Sequence, residues 1–188
     1  MLQFRQDWWQ GVRQDGEINC DIAKANLLDI KEVFDSYEIP FVLAGGTLLG
    51  LIRSESFIKW DHDIDLMCFN EETRHDPCKM RWVKNELENR GFYIVDSSRC
   101  RCKVDYFIRG GERVDIFWLD KIDDEWIFNN ELRFPAYFYR NLETRTFFGK
   151  SFSVPRNPKE YLAYCYGQDW ETPIKGATVL NLNPNRKK

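Results

Sequence analysis

No apolar run in this sequence is long enough to span a bilayer, although 43% of its 188 residues are hydrophobic. The first ten residues, MLQFRQDWWQ, lack a basic flank followed by an apolar core, so no secretory signal is expected there. A dominant charge is also missing. Lys and Arg total 27 against 30 Asp and Glu, a formal net charge of −3. That balance leaves no footprint for wholesale nucleic-acid binding; no nucleic-acid partner is expected, and the basic residues must act locally. There are only two His, and the six Cys (20, 68, 78, 100, 102 and 165) contain no C-x₂-C pair. Zinc is left with His62, Cys68, His75 and Cys78, or with Cys100-x-Cys102, and neither spacing matches a paired-ligand pattern. A Cys–His nucleophile pair has no sequence context either. Free thiols in a reducing compartment are the simplest reading of the six Cys, and a cytoplasmic location is the expectation that goes with it. No internal repeat is present. With 15% aromatics, the composition excludes disorder across the whole chain, and the length suits a single compact domain with a real core.

The stretch that organises the chain is Phe41 to Phe69, FVLAGGTLLGLIRSESFIKWDHDIDLMCF. Phe41-Val42-Leu43-Ala44 reads as a buried strand. Gly45-Gly46, without Cβ atoms, would break that strand and let the backbone approach a ligand. Thr47 is the expected cap of a short helix that packs Leu48, Leu49, Leu51 and Ile52 on the sheet. After a loop over Ser54 to Trp60, Asp61, Asp63 and Asp65 fall at alternate positions of a second strand, whose Ile64 and Leu66 would face the core. Carboxylates this close repel one another unless a proton or a divalent cation intervenes, and an oxygen-only set suits Mg²⁺ or Mn²⁺. Strand, Gly-Gly turn, helix and Asp-x-Asp strand together form a layout for metal-dependent phosphoryl transfer.

Upstream, residues 1–18 show no clear period and 1–20 form an N-terminal extension, with Trp8-Trp9 packed on the domain or touching a membrane interface. From about Asp21, Ala23, Leu27, Ile30, Phe34 and Tyr37 recur at helical spacing, and Pro40 should end that helix before the first strand. Downstream, Asn70 to Cys78 reads as a loop over the site. A helix from about Pro77 then presents Met80, Val83 and Leu87 on one side, stops at Gly91 and leads into a strand over Phe92 to Val95. Residues 102–108 and 113–118 should pair as a hairpin around Gly110-Gly111. Asp115 interrupts an otherwise apolar strand; a buried carboxylate needs a partner, which a shared metal or a substrate proton would supply. Asp105 has the same look on the facing strand, or points to solvent. Asp120 to Glu125 reads as a solvated acidic loop, and Trp126 to Phe134 as a second hairpin or a meander. The main domain is thus placed at 21–174 and a loose tail at 175–188.

The run GGTLLGLIRSESFIKWDHDIDL resembles the signature of the LicD family. The likeness extends, with gaps, from about residue 27 to 172. It takes in the helix before Ile39-Pro40-Phe41, the Val114-Asp115-Ile116-Phe117 segment, which is similar to the family's third acidic motif, and the run from Leu142 to Pro155. The short helix at Asn157-Pro158 and the ending Tyr166-Gly167-Gln168-Asp169-Trp170 complete it. Lys59 stands where the family commonly has Pro, and His62 where it commonly has a third consecutive Asp. Neither change touches Asp61, Asp63 or Asp65, but donor specificity does not carry over from any one member.

The resemblance implies a nucleotidyltransferase-type fold, an α+β domain whose mixed sheet is flanked by helices. It further implies transfer of a phosphorylated small alcohol, such as phosphocholine or ribitol phosphate, from a CDP-linked donor to a glycan hydroxyl, as in lipopolysaccharide or teichoic acid biosynthesis. On that basis Asp63, Asp65 and Asp115 would be the catalytic carboxylates and the ligands of Mg²⁺ or Mn²⁺, with Asp115 or a neighbouring carboxylate accepting the acceptor's proton. Asp61 would orient the loop or the ligands by hydrogen bonding. Gly45, Gly46 and Thr47 at a helix N-terminus would meet the donor phosphates, as would Arg53 and Lys103. Arg53 reads equally as a surface partner of Glu55, and Arg101 and Lys103 as alternation on an exposed sheet face. Two other readings use the same residues: nucleotidyl transfer at the α-phosphate of a nucleoside triphosphate, and an idle module that binds nucleotide or glycan.

Overall fold

Asn19 opens the first helix by accepting the Ile22 N–H at 3.2 Å, and α1 runs from Cys20 to Ser36. Ala23, Leu27, Ile30, Val33 and Phe34 are buried along one face, as their spacing requires. Asn26 is buried with them. Its amide donates to the Arg109 carbonyl at 3.0 Å and its carbonyl accepts from Arg109 Nε at 2.8 Å, which ties α1 to a distant sheet turn.

The computed structural model describes residues 17–70, 77–95, 103–129 and 131–176. Outside these lie the expectations for Trp8-Trp9, for most of the Asn70–Cys78 loop with His75, for Cys100, Arg101 and Cys102, and for residues 177–188; the Cys78 side chain is outside them too. In chain order, α1 is followed by β1 (Phe41–Leu43), α2 (Gly45–Ser54), β2 (Asp63–Phe69), α3 (Pro77–Asn89) and β3 (Tyr93–Val95). Next come β4 (Val104–Arg109), β5 (Glu112–Ile122), β6 (Glu125–Phe128), β7 (Leu132–Pro135), a 3₁₀ turn over Ala136–Phe138, β8 (Glu143–Phe147), β9 (Lys150–Val154) and α4 (Pro158–Tyr166).

Seven strands make one sheet in the order β1-β2-β5-β4-β3, with β6 paired to β5 and β7 to β6, while β8 and β9 form a separate hairpin. β2 and β5 run parallel and the other pairs antiparallel, so the α+β domain has the expected mixed sheet flanked by helices. The parallel register sets Asp63 opposite Arg113 and Asp65 opposite Asp115. With a period of two, Ile64, Leu66 and Cys68 join Val114, Ile116 and Trp118 on one buried face, beneath α1 and α3. Asp63, Asp65, Arg113 and Asp115 therefore share the opposite face. No helix among the described residues is long and apolar enough to cross a membrane.

Two expectations need correction here, and the reading of Cys68 does not. Asp105 does not face solvent: it is 2% exposed, on the helix side of the sheet, where Lys84 Nζ of α3 lies 2.9 Å from its carboxylate. The sheet itself separates it from the acidic face. Asp120 to Glu125 is solvated, with 121–124 exposed, but it is a hairpin rather than a loop: β5 continues to Ile122, turns at Asp123-Asp124 and returns as β6. Cys68 is a fully buried core thiol, remote in its facing from His62, and Cys165 is a second buried free thiol. Among the described residues, the only metal-sized grouping of His, Cys, Asp and Glu side chains is an all-carboxylate one.

Candidate active site

That grouping is Asp63, Asp65 and Asp115, each of which presents a carboxylate oxygen within 4.8 Å of the other two. Pairing of β2 with β5 creates it, since residues 63 and 65 project on one side of their strand and 115 on the same side of the next. Arg113, two positions before Asp115, projects among them. Its Nε donates to Asp115 Oδ1 at 2.6 Å, and its Nη2 donates to Asp63 Oδ2.

The start of α2 holds the third carboxylate. The helix begins at Gly45, with Ala44 extended before it and no side-chain cap, so Thr47 is not the cap. Asp65 serves instead: its Oδ2 accepts the Gly46 N–H at 2.8 Å from 19 residues further along the chain. Thr47 is buried, and its Oγ1 accepts the Asp65 backbone N–H at 2.9 Å. The glycines make room for protein carboxylates. Gly45 has φ +47°, and a Cβ there would come 2.9 Å from the Asp65 Cβ and closer to its carboxylate. A Cβ on Gly46 would come 3.1 Å from the Asp61 Cγ. Asp61 itself precedes β2, in the loop rather than on the strand, and its Oδ1 accepts the His62 N–H at 3.1 Å. Gly45→Ala combines left-handed strain with this clash, and is expected to cost about 2–4 kcal/mol. Urea unfolding measures that cost; a loss under about 0.5 kcal/mol would contradict the packing.

Electrostatics mark the site as short of positive charge. Burial pushes the Asp115 carboxyl up to about 8, the Arg113 guanidinium works against the rise, and Asp63 adds to it. Burial and the Asp63 charge raise Asp61 to about 7. Asp65 is held well above its ordinary value by burial and by Asp63, Asp61 and Asp115. An oxygen-only set of three carboxylates, strained by mutual repulsion and lodged in one cleft, fits a hard divalent cation such as Mg²⁺ or Mn²⁺.

A cavity of about 600 Å³ opens over the cluster, a volume suited to a nucleotide-sized ligand. Gly45, Gly46, Arg53, Asp61, Asp63 and Asp65 line it. Lys103 does not; its ammonium pairs with Asp120, and among the described residues it is absent from the cavity wall. Sequence reading missed the aromatic walls supplied by Trp60, Phe117, Phe128, Tyr166 and Trp170. It also passed over Arg113, which the period-two rule applied backwards from Asp115 would have found.

The mixed sheet brings carboxylates from two adjacent strands to the N-terminus of a short helix, and the matching family model is of the nucleotidyltransferase class. The family model described as "LicD/FKTN/FKRP, nucleotidyltransferase domain" matches residues 38–157, and the chain belongs to this LicD family. Ribitol 5-phosphate transferase FKRP of Mus musculus is 26% identical over 151 residues, covering 72% of this chain and 29% of that protein. Lipopolysaccharide cholinephosphotransferase LicD of Haemophilus influenzae is 44% identical over 48 residues, covering 25% of this chain and 18% of that protein. The chain thus spans under a third of the length of these curated relatives. A solved structure of ANT(2″)-Ia in complex with adenylyl-2″-tobramycin is similar at a TM-score of 0.47 and 15% identity, covering 75% of each chain.

Proposed function

We propose that this protein is a metal-dependent phosphotransferase, moving a phosphorylated small alcohol of the phosphocholine or ribitol phosphate kind from a CDP-linked donor to a glycan hydroxyl. The observation that carries the reading is the Asp63–Asp65–Asp115 cluster of a LicD domain, with Asp63 and Asp65 half-buried on the cavity wall and Asp115 buried beside them. The three carboxylates would hold one or two Mg²⁺ or Mn²⁺ ions, and a cation bound there supplies charge neutralisation to the transferring phosphoryl group and the departing nucleotide. Everything else is work for the chain. Gly46 N–H and Thr47 hold Asp65 in place before substrate arrives, so no reorganisation of that ligand is required during the reaction. Arg53, on the cavity wall at the last turn of α2, would bind a donor phosphate oxygen. The aromatic walls would take the flat faces of base and sugar.

In the transfer itself, the acceptor oxygen bonds to the phosphorus that carries the alcohol. The bond from that phosphorus to the bridging oxygen breaks, and CMP leaves with the bridging oxygen. The hydroxyl proton passes to Asp115 or to a carboxylate beside it. A cytoplasmic location belongs to the same proposal, supported by the free thiols of Cys20, Cys68 and Cys165.

The test is incubation with Mg²⁺, a glycan acceptor panel, and CDP-, UDP- and ADP-linked donors beside nucleoside triphosphates, with wild type and Asp63→Ala run together. CMP released from a CDP-alcohol by wild type alone is the expected result. Pyrophosphate from a triphosphate would replace this reading with nucleotidyl transfer. No release from any donor would reduce the domain to a binding module.

A further inference from the structure

Each carboxylate of the cluster already has a donor from the protein. Asp65 takes the Gly46 N–H, while Asp63 and Asp115 share the fork of Arg113. That guanidinium is well placed to stay where it is. Its side chain is 12% exposed, it stands in register with Asp63 across the β2–β5 pair, and its Cζ lies 5.5 Å from the Tyr106 ring centroid on the neighbouring strand. Three carboxyl groups whose oxygens lie within 4.8 Å of one another crowd negative charge, and Arg113 offsets part of it from within the fold.

A divalent cation drawn to the same oxygens meets this charge. The cation would draw on oxygens of Asp63 and Asp115, and the positive guanidinium bonded to Asp63 Oδ2 and Asp115 Oδ1 repels a dication that approaches them. We propose that Arg113 is the site's built-in counter-cation, which must release Asp63 for a divalent cation to enter and thereby sets the metal affinity. This rests on the reading of the cluster as a metal site. It makes Arg113 a positioning residue for the ligands rather than a catalytic one. It also accounts for a cluster of like charges that folds without an ion: the metal-free state is a formed, occupied arrangement, and loading exchanges one cation for another.

The two roles open to Arg113 predict opposite signs. If it merely braced the ligands, its removal would weaken metal binding. As a competitor, its removal strengthens binding while lowering the stability of the metal-free protein. Mn²⁺ titration of wild type and Arg113→Gln, followed by the electron paramagnetic resonance of the free ion, separates these. The expected result is a Kd at least roughly tenfold smaller in the variant, since the repulsion between a unit charge and a dication is removed at close range. Its metal-free Tm should fall below that of wild type. Arg113→Lys, which keeps the charge but not the fork, should lie between the two. Equal or weaker Mn²⁺ binding by folded Arg113→Gln would overturn the proposal.

If that variant does not fold, the wild type alone answers. Saturating Mg²⁺ should shift the Arg113 Nη2–H resonances, which report the bond to Asp63, and speed their exchange with water, and unchanged resonances would overturn the proposal. Should wild type bind no divalent cation at all, the metal reading fails and this proposal with it. Metal binding without any effect of Arg113 would sink only the proposal.

Discussion

Asp65→Asn is expected to lower kcat by at least about a thousandfold while leaving the protein folded. A ligand carboxylate's share of the charge stabilisation on a phosphoryl group is of the order of 4 kcal/mol, and each 1.36 kcal/mol is a factor of about ten in rate. Asp65 is the choice because it is the most constrained of the three. It faces Asp115 in register, takes the Gly46 N–H, and has its own N–H held by Thr47. The asparagine amide oxygen can still accept from Gly46, so the start of α2 survives and only the charge is lost. Steady-state kinetics with circular dichroism as a folding control measure this. A fall of under about tenfold in kcat would place the chemistry on other residues.

The second large effect is on stability. Asp115 is raised from an ordinary 3.8 to about 8, so between those values the folded state holds a proton that the unfolded state has released. That contribution is fully present below about pH 4 and is lost as pH rises through about 8. Asp61, raised to about 7, acts in the same direction. The metal-free protein should therefore lose stability from about pH 4 to pH 8, and saturating Mg²⁺ should restore it at the upper end. Asp115→Asn removes one of these ionisations and keeps an acceptor for Arg113. At pH 8 it is expected to be about 2 kcal/mol more stable than metal-free wild type, roughly 5 °C in Tm, with little left to gain from Mg²⁺. Thermal unfolding across pH, with and without Mg²⁺, checks both halves. A variant less stable than wild type at pH 8 would show that the Arg113–Asp115 pair outweighs the burial of the charge.

Much of this architecture is visible in residue order because it is local. The 3.6-residue spacing of α1, the glycine turn between β4 and β5, and the alternation of Ile64 and Leu66 with Asp63 and Asp65 each need only neighbours along the chain. The trio of Asp63, Asp65 and Asp115 needed one further link, the family's third acidic motif, because no periodicity shows that β2 and β5 are adjacent and parallel. What stayed hidden depends on contacts between distant segments. Gly45 is a poor helix starter by propensity, yet α2 begins there because Asp65 caps it from another strand. Asp105 looks like Asp115 in sequence, and only the packing of α3 with Lys84 over that face tells them apart. Lys103 lies one residue before β4 and is drawn to Asp120 rather than to the cavity, a choice set by where β5 ends.

Crystals soaked in Mn²⁺ and measured at an anomalous wavelength test the central claim most directly. The account predicts an anomalous peak within ligand distance, about 2.0–2.3 Å, of oxygens from Asp63, Asp65 and Asp115, and its absence from Asp65→Asn crystals. A peak seated on other side chains, or none at saturating Mn²⁺, would contradict it.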